Sequence, residues 1–334
     1  MRIIKFIKQW TLLCSIVFGS LVYLLFTHIE ILTPFGDFIG PKLVMVLPIN
    51  IFLMLYVTFC KIQMNDLTPR KWHFILQGIR TLLAALSVLS ANLCTNPTYK
   101  LLWEGVFICA ICPTAAAAPV IVDKLGGNIA SLTVYLLIAN GFTSIIIPLF
   151  FPLMEKGADI TFAMAAWLVL QRVLMVLIIP LCLALFSRKH LPKFVTWLKT
   201  KHKLPLSTQE SVCLLPPSIA FYLWSFNLSI IMGLAMQNIL HAPVSGWVLT
   251  ALCIIPLILA VVQFSIGKLV GHHYGDSIGA GQALGQKNTI VGIWLTLSFL
   301  NPYAAIAPCV YVIWQNIINA VQLWYKDKYG YLKW

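Results

Sequence analysis

The stretch GQALGQKNTIVG, residues 281–292, sets a lysine among amides, a threonine and three glycines inside an otherwise apolar run. A buried lysine is expensive, so Lys287 calls for a cavity, an ion or a partner that compensates it. Gln282, Gln286, Asn288 and Thr289 place hydrogen-bonding groups around it, and Gly285 precedes it by two positions. A second stretch, ICPTAAAAPVIVD, brackets four alanines between Pro113 and Pro119 and carries Thr114 as its one hydroxyl. Each proline removes a backbone donor and crowds the preceding turn, which interrupts a helix. Arg80 and Arg172 are the other charges within apolar runs, and Gln77 lies one turn before Arg80. An arginine facing a cleft suits a carboxylate or sulfate better than a neutral ligand. Asn50, Asn140, Asn227 and Gln263 offer further hydrogen bonding within apolar segments. These groups bind and relay; no HExxH, nucleophile elbow or paired-carboxylate pattern is present, so an enzyme is not expected.

The elements that hold these residues are set by composition. Of 334 residues, 60% are hydrophobic and 10% charged, with a mean hydropathy of +0.89. Soluble domains are about a quarter charged. A bilayer crossing needs roughly 20 mainly apolar residues, and ten such stretches lie between residues 10 and 325, the second over 42–60, the fourth over 101–122, the sixth over 162–186 and the ninth over 274–299. The expectation is an all-α polytopic membrane protein with ten transmembrane helices. The net charge of +13 follows the joints: with the N-terminus inside, cytoplasmic segments hold seventeen of the twenty-three Lys and Arg, and outer segments hold Lys42, Lys100 and Lys156. That bias places both termini in the cytoplasm and removes the need for a nucleic-acid partner. The first apolar run follows a short basic stretch without a convincing small-residue cleavage site, and is read as retained. The nine cysteines fall mostly in apolar segments, and Cys109 and Cys112 read as buried packing.

Interruptions fall in the fourth and ninth spans, the fourth of each group of five. Five crossings per half is an odd number, so residues 1–154 and 155–334 are expected to be inverted repeats, with broken crossing helices 4 and 9. Interrupted helices at matching positions of inverted repeats point to a transport site near the midplane. The alanines would let two backbones approach closely. Unwound backbone there must face protein or an aqueous cavity.

On the segments ICPTAAAAPVIVDKLGGNIASLTVYLL and ALGQKNTIVG the chain resembles the bile acid:sodium symporter family, including its bacterial members. The resemblance implies a ten-helix fold, with a panel domain of helices 1, 2, 6 and 7, a core domain of helices 3–5 and 8–10, and substrate in the cleft between them. It also implies a multi-pass protein of the bacterial inner membrane and two sodium ions behind the crossing. The serine and asparagine ligands of the first crossover map to Ala118 and Pro119, the glutamate to Ala283 and the glutamine to Lys287. Asn288 and Gly285 keep the family's asparagine and glycine. Alanine offers no polar side chain and lysine offers donors only, so sodium is not expected at the usual sites, and no metal or cofactor is called for.

A protonated Lys287 could take the place of a bound cation against loop carbonyls and the C-terminal end of a half-helix. A neutral Lys287 could instead serve a proton cycle. It could also be a structural tether satisfied by Thr114, Gln282 and backbone oxygens, or attract substrate. No acidic residue is an obvious partner: Glu104 lies about three turns before the first break, Asp276 near the start of the ninth span, and Asp123 just after the first crossover. The expected function is secondary transport of a small organic anion, such as a bile-acid-like or sulfated amphipathic compound, by alternating access. Proton coupling, exchange and uniport stay open. The alternative is a non-transporting sensor or structural membrane protein on a transporter scaffold. The tail aromatics Trp314, Trp324, Tyr325, Tyr329, Tyr331 and Trp334 suit a membrane interface. The connection from Arg188 to Lys203 is read as cytoplasmic topology charge that can also meet anionic lipid. The sequence sets no oligomeric state.

Overall fold

The computed structural model describes residues 6–7, 9–154, 167, 171, 175, 178–202, 213, 215–216, 218–241 and 244–332, and the regular elements among them are helical. They are α1 (Thr11–His28), α2 (Thr33–Phe59), α3 (Lys71–Leu93), α4 (Pro97–Ile111), α5 (Ala118–Leu125), α6 (Ile129–Met154), α7 (Ile179–His202), α8 (Ile219–Leu240), α9 (Gly246–His273), α10 (Ser277–Gly285), α11 (Thr289–Phe299) and α12 (Ile306–Tyr329), with short 3₁₀ turns at Met64–Asp66 and Pro302–Ala305. Seven segments among the described residues are long and apolar enough to cross a bilayer: α1, α2, α3, α8, α9, residues 129–147 of α6, and residues 302–329, which include α12. The fourth and ninth spans fall short of that length because each is two half-helices, α4 with α5 and α10 with α11. Most of the sixth span, including Arg172, lies outside the described residues.

Apolar side chains cover much of the outside as well as filling the core. On α3, Leu82, Leu86, Leu89 and Leu93 follow helical spacing and are at least half exposed, while His73, Gln77, Arg80 and Ser87 are buried on the opposite face. In lipid an outward leucine costs nothing, and helices associate through close packing and internal hydrogen bonds. Small residues make that packing possible. A side chain at Gly267 would meet the Ala280 carbonyl oxygen at 2.4 Å, so α9 and α10 lie backbone against backbone.

Two groups of helices can be followed in the contacts, joined to each other by α12 against α1 and α8 and by α5 against α2. α1, α2, α7 and α8 pack in sequence through α1–α2, α1–α8, α2–α8 and α2–α7 contacts. In the other set α4 packs on α3, α6, α9 and α12, while α10 packs on α3, α6 and α9. Asn50 Nδ2 donates to Asn227 Oδ1 at 3.0 Å across α2 and α8, both residues being buried. Trp72 stacks on Tyr135, joining α3 to α6 beside Ala118 and Ala283.

Several boundaries differ from the sequence reading, two of them around charged residues. α2 begins at Thr33 rather than near residue 42, because Pro34 sits in its first turn, where a missing donor is no loss. Lys42 is therefore helical, its ammonium over the Phe38 ring. α7 continues as helix through the basic stretch to His202, with Pro192 inside it, so residues 179–186 of the sixth span and the basic connection up to His202 form one element. Trp314 is anchored inward, its Nε1 donating to the Cys253 carbonyl at 3.0 Å. The other aromatics stay at the helix end: Trp324 stacks on Trp10 at 6.0 Å, and Tyr329 and Tyr331 are exposed. Trp334 lies outside the described residues.

Candidate functional site at the helix crossing

Both breaks arise where the sequence denies the helix a continuation. α4 stops at Ile111, ahead of Pro113, and α5 restarts at Ala118 with Pro119 in its first turn. α10 stops at Gly285, and α11 restarts behind Asn288, whose side chain caps it by accepting from the Val291 N–H at 3.4 Å. Asp276 caps the start of α10 through the Gly279 N–H at 3.0 Å, and Asn96 caps α4 through the Thr98 N–H at 2.8 Å. Caps at these ends let such short helices hold their ends in place.

The two unwound segments satisfy each other. Thr114 and Lys287 form an antiparallel bridge. The Ala115 N–H donates to the Gln286 carbonyl at 3.0 Å, and the Asn288 N–H donates to the Pro113 carbonyl at 2.8 Å. Proline serves here as an acceptor, which needs no N–H. From α12, Gln315 completes the pairing: its Oε1 accepts from the Lys287 N–H at 2.8 Å and its Nε2 donates to the Lys287 carbonyl at 3.2 Å. Non-helical backbone at membrane depth is thereby paired within the protein.

The C-terminal carbonyls of both half-helices receive donors. Lys287 Nζ donates to the Ala110 carbonyl of α4 at 2.9 Å. Arg80 donates from one terminal nitrogen to the Ala283 carbonyl of α10 at 2.9 Å and to Thr114 Oγ1 at 2.7 Å. The Thr114 hydroxyl donates to that same Ala283 carbonyl. Tyr311 OH donates to the Gly285 carbonyl at 2.7 Å, and Gln263 Nε2 reaches the Cys109 carbonyl and Tyr311 OH at 3.4 Å each. Arg80 is fully buried and Lys287 nearly so. Neither forms an ion pair with a carboxylate among the described residues. The ends of helices carry partial negative charge on such carbonyls, so a cation is favoured at each.

The residues singled out from sequence thus divide. Arg80, Thr114, Ala283, Lys287 and Asn288 meet at the crossing, with Thr289 opening α11 beside them. Gln286 gives its carbonyl to Ala115 while its side-chain amide is buried without a partner among the described residues. Gln282 faces α12, its Nε2 donating to Asn319 Oδ1 at 2.9 Å, so it does not tether Lys287. Thr114 does not do so either, because its hydroxyl serves Arg80 and Ala283. Gln77 is buried on the face of α3 that carries Arg80, its amide unpartnered among the described residues. Ala118 and Pro119 open α5 and pack as apolar surface. Asp123 falls in the last turn of its short half-helix, far enough along to pair with Lys61 instead of Lys287. Glu104 and Asp276 are engaged elsewhere, by the Asn301 N–H and the Gly279 N–H. Cys109 and Cys112 are buried free thiols.

A cavity of about 460 Å³ opens against this crossing. One wall is the crossing itself: Thr114 to Ala117 ahead of α5, Lys287 to Val291 at the start of α11, and Gln315. The opposite wall is apolar, from Leu47 and Ile51 of α2 and Trp224 and Ile231 of α8. Asn140 of α6 adds a polar group at its side. The volume is in the range that holds a drug-sized molecule. A larger groove of about 750 Å³ runs along α1 past Phe18 and Leu21, but it is open and apolar, as a lipid-facing surface is. Gln315 and Tyr311 were missed in the sequence, although Gln315, Asn316, Asn319 and Gln322 recur at helical spacing and are all buried on α12.

These features define an all-helical, multi-pass membrane protein with two interrupted helices that meet beside a cavity whose polar groups come mainly from the crossing. No known family model matches the chain, and no curated protein matches it.

Proposed function

We propose that this chain is a secondary transporter of a small organic anion, a divergent relative of the bile acid:sodium symporters, working by alternating access. The observation that carries the reading is the cavity at the crossing. Its polar wall joins the segment that leads into α5 and the first turn of α11, whose N-terminal end favours negative charge, to Lys287 and Gln315. Its apolar wall of Leu47, Ile51, Trp224 and Ile231 suits the hydrophobic body of an amphipathic anion. The substrate class that fits is an amphipathic carboxylate or sulfate, bile-acid-like or steroid-like.

In this reading the chain makes ten crossings in two inverted halves, 1–154 and 155–334. The panel is helices 1, 2, 6 and 7 and the core is helices 3–5 and 8–10. The contact sets described above, with the cavity lined from both, support that division. The protein sits in the bacterial inner membrane with both termini cytoplasmic, as its charge bias favours. Transport proceeds without the family's two sodium sites, since the positions that would ligate them are Ala118, Pro119, Ala283 and Lys287.

The test is flux of radiolabelled taurocholate and of a steroid sulfate into proteoliposomes. Saturable uptake above protein-free vesicles is expected. Binding without flux under several imposed gradients overturns transport and favours a sensor on a transporter scaffold.

A further inference from the structure

The donors to the two half-helix ends are exchanged across the molecule. α4 belongs to the first break, yet the ammonium on its Ala110 carbonyl comes from Lys287 in the second break, 177 residues away. α10 belongs to the second break, yet the guanidinium on its Ala283 carbonyl comes from Arg80 on α3, 203 residues away, and that same guanidinium holds Thr114 of the first break. Each interrupted helix therefore ends on a basic side chain supplied from the other half of the crossing. Neither of the two is paired with a described carboxylate. What faces both cations is the carbonyl end of a helix, an electrostatic partner worth most where water is excluded.

We propose that Arg80 and Lys287 are a matched pair of tethered cations that hold the two crossing half-helices together, so that the substrate site is assembled without any bound inorganic cation. The proposal rests on the carrier reading for its functional meaning: an anion would cross without a co-transported metal ion. Its structural content stands apart from that reading, because the pair acts on α4 and α10 whether or not substrate moves. Lys287 lines the cavity, so a truncated side chain there leaves a space that a small cation can enter. Arg80 lies behind the crossing, among Tyr135, Thr114 and α10, and its positive charge is over the Tyr135 ring at 5.4 Å.

Thermal unfolding of the purified, substrate-free protein in detergent tests the pair. Replacing sodium chloride by choline chloride at constant ionic strength leaves the native melting temperature unchanged. Lys287→Ala melts about 5 °C lower, and methylammonium restores at least half of that loss whereas choline does not. Lys287→Met stays low in methylammonium, because its side chain fills the space. Arg80→Lys, which keeps a donor cation, loses less than Arg80→Gln. Saturable stabilisation of the native protein by sodium overturns the proposal. So does a Lys287→Ala protein as stable as the native one, or one that methylammonium raises no more than choline does. If the melting behaviour holds while the flux assay fails, the carrier reading falls and the tethered pair stands.

Discussion

The two breaks do the same geometric job with opposite chemistry. The first, from Cys112 to Ala117, is proline and alanine with a single hydroxyl; it contributes backbone and almost nothing else. The second, from Gln286 to Asn288, is amide, ammonium and amide, and it contributes a helix cap, a cation and two strand-like hydrogen bonds. A bilayer interior explains the division. Two backbones can come within hydrogen-bonding distance only if at least one is stripped of bulk, and the exposed polar backbone must then be paired by groups from the other. A small first break permits the approach, and a polar second break stabilises it.

That asymmetry predicts graded responses to substitution. The largest is Lys287→Glu, which sets a carboxylate against the Ala110 carbonyl and removes the donor; a loss of about 3–5 kcal/mol is expected, visible as failure to purify in folded form or as a collapsed melting temperature. Next is Gln315→Leu, which leaves the buried Lys287 N–H without its partner and removes one of the two donors to the Lys287 carbonyl, the Thr289 N–H remaining; about 2 kcal/mol follows from one buried group left unpaired, read from chemical or thermal unfolding. Asn288→Ala removes the cap of α11 and should cost about 1 kcal/mol. The smallest is Ala116→Ser in the first break, within about 0.5 kcal/mol of native, because Ala116 lines the cavity and a hydroxyl there has room. Equal sensitivity of the two breaks would break the comparison.

The sequence carried more of the fold than of the site. α3 and α6 match their hydropathy spans to within a residue or two, because abrupt polar joints bound them. Both breaks were legible, since proline and clustered glycine have direct backbone consequences. The hydrogen-bonding value of Asn50 and Asn227 was legible as well, though their pairing with each other required α2 and α8 to be placed side by side. The exchange of cations was not legible. That Lys287 would meet a half-helix carbonyl end was legible, but which carbonyl it meets depends on how helices from opposite ends of the chain pack, and the side-chain partners Thr114, Gln282 and Asp123 that the local sequence offered are engaged elsewhere. The polar face of α12 was visible as a pattern but was overshadowed by the aromatics of the same helix. The start of α2 was misplaced because prolines and an aspartate lower the hydropathy of residues 33–41 without preventing helix.

The central claim is that this crossing accommodates an anion with its own side chains supplying the positive charge. A sodium titration of taurocholate flux in proteoliposomes, run on the native protein and on Lys287→Ala, tests it most directly. The account predicts a native rate that is indifferent to sodium and a rate in Lys287→Ala reduced at least about tenfold, the equivalent of one lost charged hydrogen bond. Strong saturable activation of the native protein by sodium, or full flux in Lys287→Ala, would contradict it.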